Sequence, residues 1–443
     1  MPGRPLHGNR RREEIDIFLH RVALVTLLLP TLALANGYNV PNVNPRDLAR
    51  VDSARAAQDT AAAVYGNPAA LAGIQGVNLS LGISLLDLRS DWHAPDGFTP
   101  LPLAASSPRS ASLKFKPVPP PALFASYGGM LGDRGWGVGA GMNIPQGGNV
   151  YWPGDWAGRF RITTVDRKIY GFYGSAGIDV VKQVRIGGGV VYYYTTETLE
   201  TGIDILDVTE AQARLEASGG AVAFDVSTVI TPFDGVPLTL ALDYKHQGVQ
   251  KLTGKATFTD VPPGLATLLR EQNVTHVLTI PNVLNIGAAW RVVPALNITA
   301  GFTFDRYKVY PEDLFAGETI SLPVRREYGN GQTYRLGAEY TLFPELALRA
   351  GVQRDISGVQ RDFYSPTLPD ASSWAGAVGA SWFFTPSLGI DAAFFYAHLD
   401  EISSTATRDA PPPAPLTPPP GPFPGRYDTQ AFIYSAAFVY RVR

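Results

Sequence analysis

Side chains able to do chemistry are few in this chain and poorly arranged for catalysis. The six histidines, His7, His20, His93, His246, His276 and His398, are dispersed, and no His-x-x-x-His pair occurs among them. There is no cysteine, which removes thiolate metal sites and disulfides. Gly187-Gly188-Gly189 and the Gly-x-Gly spacing within 135–141 lie inside strand patterns. A phosphate cradle needs a strand-to-helix turn, so neither run is placed for one. An enzyme would need a Ser or His dyad at a defined rim, and none stands out. No catalytic residue, metal ligand or cofactor is therefore expected. What remains is a set of structural features: a run of small residues, glycines inside strand patterns, and leucines at helical spacing.

The small residues concentrate in 60–71, where Thr-Ala-Ala-Ala-Val-Tyr-Gly is followed by Asn67-Pro68-Ala69-Ala70-Leu71. An Asn-Pro step commonly marks a turn, so one reading is a helix stop before a loop. Its place, after an export signal and before the first alternating strand, gives a second reading as an N-terminal plug. The export signal is the basic set Arg10, Arg11, Arg12 and Arg21, then an apolar run from Val22 that ends Ala33-Leu34-Ala35. Broken by Pro30, that run is too short for a good transmembrane helix. Residues 1–35 read as a signal peptide and the mature chain as starting near Asn36.

Charged residues make up 17% of the chain, below the ~25% of ordinary globular domains. The 45 glycines and 37 prolines form no regular repeat, which excludes collagen. A formal net charge of −2 implies no basic face, so no nucleic-acid partner is expected.

Period-two alternation fills the rest. Tyr334, Leu336, Ala338, Tyr340 and Leu342 share one face, with Arg335, Gly337 and Glu339 on the other. Leu346, Leu348, Ala350 and Val352 alternate with Arg349, Gly351 and Gln353, and Leu238, Leu240, Leu242 and Tyr244 with Asp243 and Lys245. The chain closes in the same manner on Phe432, Tyr434, Phe438 and Tyr440. An apolar face can meet a second sheet or lipid, and connection lengths separate the two. Short turns at 130–134, 181–184, 231–237, 292–295, 343–345 and 385–387 alternate with long connections. The long ones span 93–120, 146–158, 201–211, 260–275, 311–331, 358–372 and 401–427. That alternation is the outer-membrane signature, with turns in the periplasm and loops outside. Counting strands between the joints gives fourteen. The expectation is an all-β chain: a fourteen-stranded antiparallel transmembrane β-barrel over 77–443, plugged by a small, mostly helical N-terminal hatch over 36–76. It belongs in the outer membrane of a Gram-negative bacterium, as a monomer among outer-membrane lipid and lipopolysaccharide. The proline tract within 401–427 reads as an exposed, stiff spacer.

Four blocks then resemble the FadL/TodX family of outer-membrane transporters for long-chain fatty acids and aromatic hydrocarbons. The first is Asn36-Gly37-Tyr38, Leu48-Ala49-Arg50, Ala56-Ala57-Gln58-Asp59 and Asn67-Pro68-Ala69. The second is Trp152-Pro153-Gly154-Asp155-Trp156-Ala157-Gly158-Arg159-Phe160, following Ile144-Pro145-Gln146-Gly147. The third is Tyr334-Arg335-Leu336-Gly337-Ala338-Glu339-Tyr340 with Leu348-Arg349-Ala350-Gly351, and the fourth Ser365-Pro366-Thr367-Leu368-Pro369-Asp370. The resemblance implies passive uptake of a hydrophobic molecule. Extracellular loops capture it, the barrel interior binds it, and movement of the hatch (Asp59, Asn67, Pro68, Ala69) releases it sideways through a wall gap in the third strand.

That strand is read as 134–145, so Gly135, Gly137, Gly139 and Gly141 are either the doorway or glycines packed under the hatch. Leu265, Leu268 and Leu269, at helical spacing after strand seven, are either part of the outer ligand groove or a short helix packed on a neighbouring loop. The family's ligand-facing cation falls near Glu200-Thr201, where no basic residue stands; Lys308, Arg325 and Arg326 are its candidate substitutes. The chain also ends Tyr440-Arg441-Val442-Arg443 rather than on the family's terminal aromatic. The alternative function is a FadL-like barrel that anchors a surface or secretion complex without transport.

Overall fold

The computed structural model describes residues 44–319, 321–360, 363–404 and 422–442. The expected signal peptide (1–35), the Asn36-Gly37-Tyr38 block and most of the proline tract lie outside the described residues. Fourteen strands form the wall. In chain order they are β1 (Gly76–His93), β2 (Pro121–Leu131), β3 (Arg134–Tyr151), β4 (Thr164–Val181), β5 (Val184–Ile205) and β6 (Thr209–Ile230). There follow β7, in two segments (Leu238–Lys245 and Gly248–Thr259), and β8, likewise divided (Gln272–Ile280 and Val283–Val293). The last six are β9 (Leu296–Asp305), β10 (Gly331–Phe343), β11 (Leu346–Ile356), β12 (Ser373–Phe383), β13 (Leu388–Leu399) and β14 (Arg426–Val442).

Neighbouring strands pair antiparallel, and β1 pairs with β14 from Val77↔Val442 to His93↔Arg426. Closure leaves the sheet without an edge, which hydrocarbon demands because it offers no partner to a bare N–H or C=O. The alternation supplies the two faces. On β11, Val352 is 54% exposed toward lipid, while Arg349 and Gln353 beside it are buried in the lumen. Leu240 and Leu242 of β7 face out, and Asp243 and Lys245 face in.

Two connections differ from the alternation-based reading. β3 runs on to Tyr151 rather than ending at Pro145. Its register with β4 slips between Asn143 and Gln146, around a proline that has no N–H to donate. The expected long loop at 201–211 is instead the tip of a hairpin. β5 and β6 pair throughout, from Val184↔Ile230 to Ile205↔Thr209. Leu206 and Asp207, at φ 55° and 57°, make the turn, and the Asp204 carboxylate accepts the Asp207 N–H at 2.9 Å. This outer part of the hairpin carries polar residues such as Glu200, Arg214 and Glu216 on its exposed face, so no apolar alternation announces it.

The Trp-Pro-Gly-Asp-Trp block forms the core of an extracellular cap. Trp152 and Trp156 stack at 4.5 Å, and Trp156 packs edge-on to Trp92 at 5.8 Å and to Phe423 at 5.2 Å. Each indole N–H finds a carbonyl: Trp92 on Pro424 (2.9 Å), Trp152 on Pro366 (3.1 Å) and Trp156 on Ile162 (2.9 Å). One cluster thus gathers the outer end of β1 and three loops. Trp156→Ala removes its centre and should destabilise the cap by about 3–5 kcal/mol. Protease cleavage of surface loops in intact cells should rise, while the heat-modifiable gel mobility of the folded barrel persists. Unchanged loop protection would contradict this packing role.

Candidate functional site

Residues 44–75 supply the floor of the site. They form only short pieces: a helical turn at Pro45–Leu48 capped by the Asn44 side chain, a second at Ala63–Gly66, and 3-10 turns at Arg55–Ala57 and Pro68–Gly73. Helices this short are unstable alone, so the lumen must hold them. Ala61, Ala62, Ala63 and Val64 are almost wholly buried.

Polar ties run from this hatch to strands all round the wall. Asn44 donates to Ser80 of β1 (3.0 Å), Ser175 of β4 to the Val64 carbonyl (2.9 Å), and the Ala69 N–H to Ser227 of β6 (2.9 Å). Lys245 of β7 donates to the Tyr65 carbonyl (2.6 Å), and the Ser53 and Thr299 hydroxyls meet at 2.6 Å. Ion pairs add Arg46 to Asp391 of β13 (3.5 Å) and Arg50 to Glu339 of β10 (3.5 Å). Single bonds of this kind are worth about 1 kcal/mol net, so the seat is strong in sum and separable in parts.

Glycines bring hatch and wall backbones together. A Cβ at Gly177 would collide with the Pro68 carbonyl, at Gly187 with Ala69, at Gly137 with the Leu71 carbonyl, and at Gly135 with the Ala72 carbonyl. The same test at Gly139 meets Val64, and at Gly141 the ring of Phe124. Gly135, Gly137 and Gly139 of β3 therefore lie against the hatch and Gly141 against a ring from β2. Both ladders of β3 are continuous there: Ala122↔Asn143 to Leu131↔Arg134 with β2, and Trp136↔Ile178 to Asn143↔Gly171 with β4. Asn67 donates to the Arg55 carbonyl (2.8 Å), inside the hatch. Pro68 and Ala69 sit against β4, β5 and β6, and Leu71 and Ala72 of the same turn sit against β3.

Above the hatch lies a cavity of about 260 Å³. Its floor is polar: Asp52, Arg55, Lys245, Asn285 and Arg335. Its walls carry apolar side chains, Leu86, Ile144, Val150, Leu368, Phe395 and Ile433, interspersed with polar ones such as Arg167, Gln353 and Asp355. An engineered apolar cavity of about 150 Å³ holds benzene, so this space admits a larger apolar body.

The cavity continues into the wall between β1 and β3. β2 pairs both neighbours only as far as its first residues, Pro121 with Ile83 and Ala122 with Asn143. Above that point a strap, residues 113–120, replaces it, with prolines at 117, 119 and 120. Prolines donate no N–H and cannot zip a ladder. The strap stays on β1, through Ser84 N to Pro120 O (3.1 Å), Leu86 N to Val118 O (3.0 Å) and Leu113 N to Ser90 O (3.0 Å). Toward β3, among the described residues, one backbone bond remains: Lys114 N to Tyr151 O, 2.8 Å. Leu86, Val118, Gly147, Gly148 and Val150 line the cavity where it enters this breach.

The residues proposed for outer capture lie elsewhere. Leu265 and Leu269 pack with Ile205 and Ala211 on the β5–β6 tip, and Leu268 is 37% exposed. Lys308 is exposed beside Asn330, whose side chain accepts the Lys308 N–H (3.3 Å). Arg325 lies opposite Glu312 in an extracellular hairpin, Glu312–Gly317 with Ser321–Arg325. Arg326 is buried and holds Asp313 at 2.6 Å and Thr367 at 2.9 Å. Asp313 in turn faces Nε2 of His276 (2.8 Å), whose Nδ1 faces Glu197 (2.7 Å). Carboxylates accept only, so with both acids ionised the imidazole between them carries two protons. This clamp ties the hairpin to β5 and β8, and through Thr367 to the loop roofing the cavity. Its members are scattered from residue 197 to 367, and no spacing reveals it.

A closed sheet with an apolar outer face, a seated N-terminal segment and a cavity above it defines a plugged transport barrel of the outer membrane. Residues 26–442 match the family described as outer membrane protein transport protein (OMPP1/FadL/TodX), and the chain belongs to that family. Its place is the outer membrane of a Gram-negative bacterium. Among solved structures it is similar to a FadL homologue of Pseudomonas aeruginosa, with TM-score 0.79, 19% identity, and 91% of this chain and 99% of that one covered. It is also similar to the Pseudomonas putida toluene transporter TodX (TM-score 0.65, 13% identity, 93% and 100% covered). The Ralstonia pickettii toluene transporter TbuX is another (0.63, 15%, 91% and 100%). At these identities the likeness is one of fold. Outer membrane protein P1 of Haemophilus influenzae is 31% identical over 87 residues, 18% of this chain and 19% of the relative. A second strain's protein is 25% identical over 134 residues, 29% of each. The chain thus spans under a third of the length of the curated relatives it matches. The family and these structural neighbours are transport proteins.

Two outcomes follow for the hatch. Gly177→Val or Gly137→Val should unseat Pro68–Leu71 and raise single-channel conductance to small ions several-fold in planar bilayers; wild-type conductance would refute the close seat. The second concerns pH. Burial raises the Asp47 carboxyl to about 6, Arg50 at 3.8 Å offsetting part of the effect. Burial also acts to raise Asp59, but Arg46 (2.9 Å), Arg50 and Arg349 outweigh it and hold the carboxyl at about 2, although its side chain is 58% exposed. A released hatch returns both to about 3.9. The Asp47 contribution is then full below about pH 4 and lost as pH rises through 6, by up to about 3 kcal/mol. That of Asp59 is present above pH 4 and lost only toward pH 2. Leak should accordingly be larger at pH 7.5 than at pH 5, and Asp47→Asn should flatten the difference.

Proposed function

We propose that this barrel takes up hydrophobic molecules, long-chain fatty acids or aromatic and aliphatic hydrocarbons, down their own gradient. Extracellular loops gather the ligand, the cavity above the hatch holds it, and it leaves sideways into the membrane once the hatch shifts. The observation that carries this reading is the cavity's continuity with the breach between β1 and β3. Each methylene kept from water is worth about 0.8 kcal/mol, so an aqueous exit through the hatch would be costly for an apolar cargo. Lateral exit avoids that cost. The doorway in this reading is the breach beneath the strap, not Gly135–Gly141, where the wall is paired on both sides. Leu268 remains the loop residue proposed to meet ligand first, since Leu265 and Leu269 pack on the β5–β6 tip. Small hatch movements suffice, because each tie to the wall is a separate, modest bond.

The test narrows the breach without touching the hatch. Leu86→Trp with Val118→Trp should lower uptake of a neutral aromatic tracer by at least tenfold in cells whose barrel remains folded and surface-exposed. Undiminished uptake by that folded variant would rule out exit at this place.

A further inference from the structure

The mouth of the breach carries two ammonium groups that the fold leaves without counter-charge. Lys114 and Lys116 stand two residues apart on the strap, and both line the cavity. Phe115 between them is 64% exposed. Lys116 Nζ lies 3.9 Å over the ring of Tyr151, a contact that leaves its charge unneutralised.

The nearby acids are engaged elsewhere. Asp87 pairs with Arg89 at 2.7 Å. Asp166 pairs with Lys168, and accepts the Tyr151 hydroxyl at 2.8 Å and the Asn149 amide at 3.0 Å. No carboxylate among the described residues forms an ion pair with Lys114 or Lys116. Beside them the lining carries the apolar side chains Leu86, Val118, Ile144 and Val150, with Asn149 and the paired Lys168 on the neighbouring strands. A cationic rim over an apolar slot is complementary to one chemical class: a single chain ending in a carboxylate or phosphate.

We propose that the breach is a binding seat for an anionic amphiphile. Its headgroup lies between Lys114 and Lys116, and its chain runs past Val118 and Ile144 toward the cavity. On the luminal floor of the same cavity Arg55 and Lys245 already have carboxylates, and Arg335 donates to the Thr303 hydroxyl. Its transport role rests on the lateral-release reading; its binding chemistry does not. The occupant arrives as departing cargo or as an outer-leaflet lipid, and the headgroup requirement is common to both.

Titration calorimetry of the full barrel in a non-ionic detergent tests this with dodecanoate and dodecyl phosphate against dodecanol. Lys114→Gln with Lys116→Gln should weaken both anions at least tenfold and leave dodecanol unchanged, and the double arginine variant should restore them. Anion affinity unchanged in the glutamine variant, or dodecanol weakened in parallel, overturns the seat. So does loss of anion binding in Arg335→Gln alone, which would move the headgroup to the floor. In phosphatidylcholine nanodiscs, added phosphatidylglycerol should compete with dodecanoate if the occupant is lipid and leave it unaffected if it is cargo; a lysine dependence supports the seat in both cases. Failure of lateral release is distinguishable, because it would show in tracer uptake by the tryptophan-narrowed barrel with dodecanoate binding to the wild type intact.

Discussion

A membrane wall of strands stands only where each backbone N–H finds a carbonyl, and between β1 and β3 of this barrel proline relaxes that rule. Pro117, Pro119 and Pro120 precede Pro121, so the chain entering β2 lacks donors at the height where β3 continues to Tyr151. β3 has its own proline at 145 and slips its register with β4 there. The two interruptions face each other across the same gap. The strap can follow β1, which still offers N–H groups at Ser84 and Leu86, but it reaches β3 through one bond. The cavity lining therefore takes in residues of this gap, Leu86, Val118, Gly147 and Gly148, with Lys114 and Lys116 beside them.

The hatch obeys the opposite constraint. Where β2 to β5 are fully paired, glycine removes the side chains that would keep backbones apart, and Pro68–Gly73 settles directly onto the wall. Close seating of the hatch and interruption of the wall ladder thus fall to different residues. Glycine serves contact with the hatch, and proline serves the breach. The charged ties at Arg46, Arg50 and Lys245 fix where the hatch sits, while the close backbone contact sets how little space remains beneath it.

Much of this architecture was legible in the sequence, because lipid enforces a strict alternation. The faces read from Tyr334 to Leu342 and from Leu346 to Val352 are the faces observed, and the count of fourteen follows from the connections. Alternation weakens where strands leave the membrane. The outer halves of β5 and β6 are wetted and polar there, so 201–211 read as a loop although it is paired. The reading of β3 ends at Pro145 for a related reason: a proline and the two glycines 147 and 148 look like an end when they mark a bulge. The functional groups were harder to see. Arg326 was visible as a cation but not as the partner of Asp313, and His276 gave no sign of its two carboxylates. Lys114 and Lys116 lie in a segment whose proline content hides that it belongs to the wall.

The central claim is that the luminal cavity communicates with the membrane through the strap-covered breach. Anomalous diffraction from crystals grown in a lipidic mesophase and soaked with a 1-bromoalkane tests it most directly. Bromine peaks should run from beside Phe395 and Ile433, past Ile144 and Val118, to the lipid-facing rim below Lys116. Peaks that instead descend past Asn67 and Leu71 toward the periplasmic end of the hatch, with the breach empty, would contradict it.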